Sequence, residues 1–438
     1  MASDFLTSVA PGVGELIVGK PYLPSMLLSG TNFARAADYN CRFVLQVVRQ
    51  NPNITRTEIS KITGLSSPTI SGITKILFER ELIHRAGSRT GGRGQPAEQI
   101  CINPAGALAI GLAIDRDRIS LISLDLAGVV RSRFTCPGEF AVRDDLRAIL
   151  RQGIDKIIAD AAISREKILG MGVAVPDEAA DISSVTHAAD IRPSKYMDIV
   201  QLLTGIAPLP VYMDNDVAAA AVGEANFGSN LLRSSFFYIF VGNELGGAMV
   251  IDGACYRRTK GRSDGIGSLS LDFAGSFGAK LQDVLSAEKF RNLREQEMAF
   301  GASSPRVVRA ESAGAPMERW VNDAALALVP ALIGINCLIN PHEIVISGSL
   351  PAEVLDSLLL EARKNLNNFA SDIPVCASIR RAAILHDAKV VGAASLPFVD
   401  RVLPSNTTLM KIAVPGASFV QRRRLEARSR KWHGPTQF

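Results

Sequence analysis

The sequence predicts an α/β protein in which a small helical module precedes a much larger unit of alternating strands and helices. The chain has 438 residues, enough for two or three domains. Short helical patterns occupy the first hundred residues, and most of the remainder alternates between strand and helix patterns. Hydrophobic residues make up 47% and charged residues 21% of the chain. This balance is typical of globular proteins and excludes a wholly disordered or fibrous chain.

The small module carries the sequence signals of three short helices. The first ends at Asn51, because the proline that follows disfavours helical backbone there. Thr55, with Glu58 three residues later, forms the capping-box pattern that opens a second helix. Gly64 is placed to end that helix, and Ser66 is placed to cap the third. Two short helices joined by a tight turn are the helix-turn-helix arrangement, whose second helix enters the DNA major groove.

A predicted ribbon and a local positive charge support DNA binding by this module. Leu82–Arg85 and Ile100–Ile102 are expected to pair around a Gly/Arg-rich loop, Gly87–Gly94, that would act as a wing. Residues 35–100 contain ten Lys/Arg and five Asp/Glu, a local charge of +5. A protein-interaction module of three helices is the alternative. The expected DNA contacts are Thr55, Arg56, Ser66, Ser67, Thr69, Ser71, Lys75, Arg89 and Arg93.

The charge distribution and the motifs divide the chain into four expected segments. The last 18 residues carry six Lys/Arg and one acid, and a basic tail of this kind is usually solvated. The whole chain has a net charge of +5, so the large middle unit is acidic and only the small module is expected to meet a polyanion. The segments are a flexible extension (1–33), a winged helix-turn-helix domain (34–103), a large α/β domain (104–400) and a basic tail (401–438).

Several classes of protein are not expected. The longest apolar run, Ala324–Ile335, is too short for a membrane span, and the N-terminus lacks the pattern of a secretory signal. Six cysteines are scattered without a CxxC pair or a Cys/His cluster, which predicts neither a disulfide framework nor a metal site. We therefore expect a cytoplasmic protein with no membrane association, no metal and no cofactor.

The large unit contains buried-type strands separated by helices, which indicates an α/β architecture with two lobes. Its first two strands are expected at Ala109–Ile114 and Arg118–Asp125, joined by a short turn. Further strands are expected at 168–176, 210–213, 236–241, 248–251 and 344–347. Asp214-Asn215-Asp216 follows one of these strands and opens an alanine-rich helix.

The order and spacing of several motifs resemble the ROK family (repressor, open reading frame, kinase) over residues 35–400. The motifs are Thr63–Ser66, Thr90–Arg93, Val211–Asp216, Gly223-Glu224, Phe227-Gly228, Asp252-Gly253, Asn340-Pro341, Ile346, Gly348, Asp387-Ala388 and Val391–Ala394. The resemblance implies a two-lobed, actin-like (ribonuclease-H-like) fold of the sugar-kinase type, joined to a winged helix. It also implies a homodimer or homotetramer assembled through the large domain.

The kinase site that the resemblance implies is present only in part. Asp216 matches the family's catalytic base. Ala113–Asp117 stands where active members resemble Asp-Ile-Gly-Gly-Thr, and Glu244 stands where a glycine would let a phosphate approach. Gly265 and Ser268 replace the family's sugar-binding Glu and its zinc-binding His. We therefore expect no phosphoryl transfer.

Sugar binding without catalysis fits the residues that remain. Carboxylates and amides hold sugar hydroxyls well, so the expected effector contacts are Asn215, Asp216, Asp264 and Ser268. The alternative is that Asp214 and Asp216 only cap the following helix.

Together these patterns predict a DNA-binding transcriptional regulator, expected to be a repressor, that binds a double-stranded operator and senses a sugar or sugar derivative without phosphorylating it. Two alternatives stay open. One is an ATP-dependent sugar kinase with an accessory DNA-binding domain. The other is a DNA-binding dimer whose large domain is a ligand-free scaffold.

Overall fold

A computed structural model describes most of the chain. The described residues are 16–18, 32–89, 96–115, 118–138, 146–161, 164–176, 194–228, 235–251, 253–256, 265–271, 278–303, 315–368 and 376–409. The predicted contacts Arg93 and Asp264, and the tail from residue 410, lie outside these residues.

The described residues form helices and strands, and three helices with one short strand between the first two lie near the start of the chain. The helices are α1 (Phe33–Gln50), α2 (Arg56–Thr63), α3 (Ser67–Glu79), α4 (Leu146–Asp160), α5 (Ser194–Ile206), α6 (Asp216–Phe227), α7 (Leu281–Val284), α8 (Ala287–Ser303), α9 (Ala315–Leu338), α10 (Ala352–Asn367), α11 (Ala388–Arg401) and α12 (Asn406–Leu409). The strands are β1 (Leu16–Val18), β2 (Ile54–Thr55), β3 (Ile83–Arg89), β4 (Ala97–Ile102), β5 (Leu108–Ile114), β6 (Arg118–Asp125), β7 (Val130–Pro137), β8 (Ile168–Val175), β9 (Val211–Asn215), β10 (Phe236–Val241), β11 (Leu245–Ile251), β12 (Ala254–Tyr256), β13 (Glu343–Gly348) and β14 (Ser378–Arg381).

The predicted helix signals of the small module are confirmed. Asn51 is the C-cap of α1, and the capping box of Thr55 and Glu58 is formed at the start of α2. Gly64 ends α2 with a φ of 71°, a left-handed conformation that favours glycine. The Ser66 side chain accepts a hydrogen bond from the third backbone N–H beyond it, at the start of α3.

The small module also contains a three-stranded sheet in the order β2-β4-β3, in which β2 lies between α1 and α2 and the other two strands follow α3. β3 and β4 form the predicted antiparallel ribbon, but β3 is longer than expected. Its pairing continues to Arg89, opposite Ala97, after a register shift between Arg85 and Gly87. The prediction that Gly87–Arg89 belongs to the loop is therefore wrong, since the irregularity at Gly87 lets the strand resume beyond it.

The larger unit contains two sheets. The first has the order β1-β9-β8-β5-β6-β7 and the second the order β12-β11-β10-β13-β14. Helix α11 packs on β5 and β8 of the first sheet, α6 packs on β11 of the second, and the two helices pack against each other. The first lobe, the helix pair and the second lobe are thus stacked in that order.

The first strand lies within residues 1–33, the expected extension. Leu16–Val18 pairs in parallel with Val211–Met213 and forms one edge of the first sheet. The segment Leu-Ile-Val has high strand propensity, but its partner lies far along the chain, so the pairing is not visible in the local sequence.

The cores of the small module and the first lobe are continuous. Val44 and Val48 of α1 and Ile70 of α3 are buried in the same cluster as Phe398 of α11 and Val402 beyond it. The small module is therefore seated on the end of α11 by apolar side chains.

Helix α9 packs in the core of the second lobe. Among the described residues, Pro316–Leu338 is the one segment long and apolar enough to cross a membrane, and 56% of its most apolar window is buried within the protein. Trp320 and Leu328 of this helix belong to the core cluster of the second lobe. All six cysteines are free thiols.

Candidate functional site

The outer face of α3 presents small hydroxyl side chains and one lysine to solvent. Ser67, Thr69, Ser71 and Lys75 are exposed on this helix, and Ser66 is exposed at its N-cap. The Lys75 side chain is 78% exposed, and its ammonium lies 3.9 Å from the Glu79 carboxylate, which is a weak surface pair. Short hydroxyl side chains let a helix approach base edges and phosphates closely.

Two predicted DNA contacts, Thr55 and Arg56, make hydrogen bonds within the small module. Thr55 is buried, and its hydroxyl and backbone N–H are both hydrogen-bonded within the capping box. The Arg56 guanidinium donates to the Thr74 hydroxyl at 3.0 Å and to the Glu98 carboxylate at 2.7 Å. The prediction that Thr55 contacts DNA is wrong, because its side chain faces inward to close the helix end. Arg56 links α2, α3 and the ribbon.

The wing strand carries one predicted contact among the described residues. Arg89 is exposed, and its guanidinium lies 3.1 Å from the Glu58 carboxylate. Both side chains keep solvent contact, so the pair is weak enough for a phosphate to compete with it. The pKa of Glu58 is held below its usual value, chiefly by the Thr55 backbone N–H, which keeps this carboxylate charged.

The second cluster lies between the two lobes, where β5 and β9 end and where α6 and α11 begin. Lys389, on the first turn of α11, is at its centre. Its ammonium lies 2.6 Å from the Asp216 carboxylate and 2.7 Å from the Asp115 carboxylate. It also lies 5.1 Å from the centre of the Phe240 ring, at the end of the central strand of the second sheet. Lys389 thus touches groups from both lobes.

The charge on Lys389 is stabilised by its neighbours. Burial alone lowers the pKa of Lys389, but the carboxylates of Asp216 and Asp115 more than offset this effect, so the pKa lies above the usual lysine value. The ammonium is therefore charged at neutral pH and acts as the counter-ion of two carboxylates. A cation on the first turn of a helix opposes the helix dipole, and these carboxylates also compensate for that cost.

Asn215 and Asp216 contribute both to helix capping and to the cleft. The Asn215 Oδ1 accepts hydrogen bonds from the backbone N–H groups of Val217 and Ala218, which makes Asn215 the N-cap of α6. Its Nδ2 is buried without a hydrogen-bond partner among the described residues. Such a donor needs an acceptor from water or a ligand. The capping alternative named Asp214 and Asp216, but the N-cap is Asn215. The Asp216 Oδ1 accepts a hydrogen bond from the Val217 N–H at 2.8 Å, and its Oδ2 is paired with Lys389.

The other predicted cleft residues are placed as follows. Ser268 is exposed at the end of a short 3-10 turn, Ile266–Ser268. Glu244 is exposed in the turn between β10 and β11, where its carbonyl oxygen accepts a hydrogen bond from the Gly242 N–H at 3.1 Å. The part of the chain that the structure describes has no group of three or more His, Cys, Asp or Glu side chains placed to hold a metal.

Sequence reasoning missed Lys389. A single charged residue in the otherwise apolar start of α11 was the available signal, because an isolated lysine at a buried helix face needs an acidic partner. Its partner Asp115 lies 274 residues earlier in the chain, which local patterns do not connect.

Two sheets flank a central helix pair, and a carboxylate at the start of one helix lies in the cleft, so the larger unit is a two-lobed α/β structure. A family model described as "ROK family" matches residues 109–398. The chain belongs to the ROK family.

Comparison with curated proteins gives relatives of moderate identity. The chain is 25% identical over 368 residues to the uncharacterized protein y4fQ of Sinorhizobium fredii, covering 82% of this chain and 90% of that protein. It is 27% identical to the xylose repressor of Caldicellulosiruptor bescii, covering 53% of this chain and 59% of the repressor. It is 22% identical to the DNA-binding transcriptional repressor Mlc of Escherichia coli, covering 60% and 67%.

Solved structures agree on the fold. A ROK family transcriptional regulator described as a homologue of the E. coli Mlc protein matches with a TM-score of 0.59 and 20% identity, covering 83% of this chain and 96% of that one. A ROK family glucokinase from Streptomyces griseus matches with a TM-score of 0.50 and 20% identity, covering 66% and 99%. The regulator covers the larger share of this chain, whereas the kinase matches only about the length of the two lobes.

Proposed function

We propose that this protein is a DNA-binding transcriptional repressor whose two-lobed domain senses a sugar or sugar derivative. The observation that carries the proposal is the exposed face of α3, with its hydroxyl side chains and Lys75, on a module joined to a ROK domain. The domains we propose are a winged helix-turn-helix over 34–103 and an effector and oligomerisation domain over 104–400. The names of the xylose repressors and of Mlc support a repressor.

The module is proposed to read a two-fold symmetric operator in the cytoplasm as part of a homodimer or homotetramer. Paired recognition helices suit a palindromic site, because each copy then places one helix in successive major grooves. The proposed contacts from α3 and its N-cap are Ser66, Ser67, Thr69, Ser71 and Lys75. Arg56 of α2 and Arg89 of the wing strand are the proposed arginine contacts.

The effector is proposed to bind in the cleft at Asn215 and Asp216. The Asn215 Nδ2 supports this, because it is a buried donor at the start of α6 that has no hydrogen-bond partner in the part of the chain that the structure describes. A sugar hydroxyl can accept from this amide and donate to the Asp216 carboxylate, one oxygen of which pairs with Lys389. Ser268 and Asp264 remain proposed contacts.

The cleft is proposed not to transfer phosphate. A general base must accept a proton from the sugar hydroxyl, and one oxygen of the Asp216 carboxylate is instead engaged by the Lys389 ammonium 2.6 Å away. The Glu244 side chain, in a loop that would face the phosphates, adds a charge that repels them.

Fluorescence anisotropy with labelled duplexes from the region upstream of the gene tests this function. We expect tight binding to one duplex at fixed salt, changed at least about fivefold by one sugar of a panel that contains xylose and glucose. Lys75→Ala should weaken this binding, whereas Lys156→Ala, a half-exposed lysine on α4, should not. Weak binding that is equal for every duplex would refute the proposal.

Two further assays address the alternatives. Turnover of ATP with any sugar of the panel, abolished by Asp216→Asn, would establish a kinase. A sugar at 100 times its Kd should stabilise the protein by about 2.7 kcal/mol. Operator binding with no thermal shift for any sugar would favour a scaffold role for the two lobes.

A further inference from the structure

Two helices run from the cleft to the small module. Helix α6 begins at Asp216 in the cleft and ends at Phe227, and α11 carries Lys389 on its first turn and ends at Arg401. The far ends of both helices lie against α1 of the small module. The ion pair between Asp216 and Lys389 therefore joins the near ends of the two helices that support the DNA-binding module.

The two helices are packed backbone to backbone. A Cβ atom added at Gly223 of α6 would lie 2.8 Å from the Gly392 Cα of α11. One added at Gly392 would lie 2.2 Å from the carbonyl oxygen of Ala219 in α6. Contacts of this kind contain no long side chains that can absorb a displacement. A shift of one helix must therefore move the other.

Two arginines of α1 hold the far ends of this pair. The Arg49 guanidinium donates to the carbonyl oxygen of Asn226 in the last turn of α6 and lies 4.4 Å from the centre of the Phe227 ring. The Arg42 guanidinium donates to the carbonyl oxygen of Asp400 in the last turn of α11 at 2.6 Å. Both carbonyl groups belong to the C-terminal turns of their helices, where carbonyls lack intrahelical partners and attract cations.

We propose that Arg42 and Arg49 are positioning residues that couple the state of the cleft to the orientation of the DNA-binding module. The proposal rests on the proposed function, since an effector at Asp216 must share that carboxylate with Lys389. When the Lys389 contact changes, the helix pair shifts as a unit. The two guanidinium groups, which make directional hydrogen bonds to the far carbonyls, carry α1 with them.

A third link between the modules provides a matched control. The Lys167 ammonium, just before β8, lies 2.6 Å from the Glu81 carboxylate beyond α3. This pair joins the same two modules but touches neither α6 nor α11. Lys167→Gln therefore loosens the interface without removing the proposed coupling.

Hydrogen exchange of the full chain, measured by mass spectrometry without DNA, tests the coupling by a double-mutant cycle. Lys389→Met perturbs the cleft in place of the unidentified effector. It should change exchange in α1–α3 at least about fivefold in the wild-type and Lys167→Gln backgrounds. It should have no such effect in the Arg42→Gln/Arg49→Gln background. Arg49→Lys, which keeps a cation near Phe227, should retain part of the response.

The outcomes separate this proposal from the proposed function. An equal Lys389→Met effect with and without the two arginines would overturn the coupling, as would no effect in the wild-type background. The hydrogen-exchange measurement needs no DNA. If the Lys389→Met effect depends on the two arginines, the coupling is supported even when no duplex is bound specifically. In that case the proposed regulator function fails and the mechanical link remains.

Discussion

Replacing Lys389 with methionine removes the ammonium group and keeps a side chain of similar length. The variant leaves Asp115 and Asp216, whose side chains are 20% and 11% exposed, without the cation between them. Removing one partner of a fully buried pair costs about 3–5 kcal/mol, whereas an exposed pair contributes about 0–1 kcal/mol. Because all three side chains keep some solvent contact, we expect a loss of about 2–3 kcal/mol in the free energy of unfolding.

Thermal unfolding followed by circular dichroism measures this loss. For a cooperative unit of this size we expect the midpoint to fall by about 3–5 °C. Lys364→Met is the matched control, because its ammonium also lies 2.6 Å from a carboxylate, that of Glu361, but its side chain is 59% exposed. The control should lower the midpoint by less than about 1 °C. Equal effects of the two substitutions would refute the role of Lys389 as the counter-ion of Asp115 and Asp216.

The pH dependence gives a second check on the same group. The pKa of Lys389 lies above the usual value of 10.5. A group whose pKa is raised by folding contributes stability that is fully present below its unfolded pKa and is lost as the pH rises through the folded value. The midpoint difference between wild type and Lys389→Met should therefore be equal at pH 7 and pH 9. A difference that disappears by pH 9 would mean that the amine is neutral there.

Three other substitutions test the remaining assignments. Lys75→Ala should weaken binding to all duplexes alike and reduce the slope of log affinity against log salt by about 1; an unchanged slope would remove Lys75 from the interface. Gly392→Ala should lower the thermal midpoint strongly, because its Cβ would meet the Ala219 carbonyl oxygen. Gly334→Ala, which meets nothing within 4 Å, should raise the midpoint slightly, and similar effects of both would contradict the close helix contact. Thr55→Ala should cost about 1 kcal/mol of stability, and an unchanged midpoint would show that its cap contributes little.

Local signals in the sequence predicted most of the small module. Caps act within a few residues, so Thr55, Gly64 and Ser66 could be assigned from spacing alone and are confirmed. Thr55 was assigned correctly as a cap, but its side chain is buried. The Thr55 hydroxyl that identifies the helix cap is hydrogen-bonded within that cap. It is therefore not available to contact DNA.

Long-range pairing could not be predicted from the sequence. Leu16–Val18 joins a strand nearly 200 residues later in the chain, and Lys389 meets Asp115 across most of the large unit. Neither contact has a local pattern that names its partner. The resemblance to a kinase site directed attention to Asp216, which lies in the cleft. None of the motif positions taken from that resemblance corresponds to Lys389.

The continuous core beneath the small module limits how this module could be exchanged between related proteins. Val44 and Val48 of α1 share their packing with Phe398 and Val402, at the opposite end of the chain's large unit. A chimaera joined at residue 103 would place the small module of another protein on a surface that fits the side chains of this α1. The apolar contacts between the small module and the first lobe would then be poorly packed. A successful exchange of the small module must also carry matching residues from the last turn of α11. The small module and the last turn of α11 therefore have to be exchanged together.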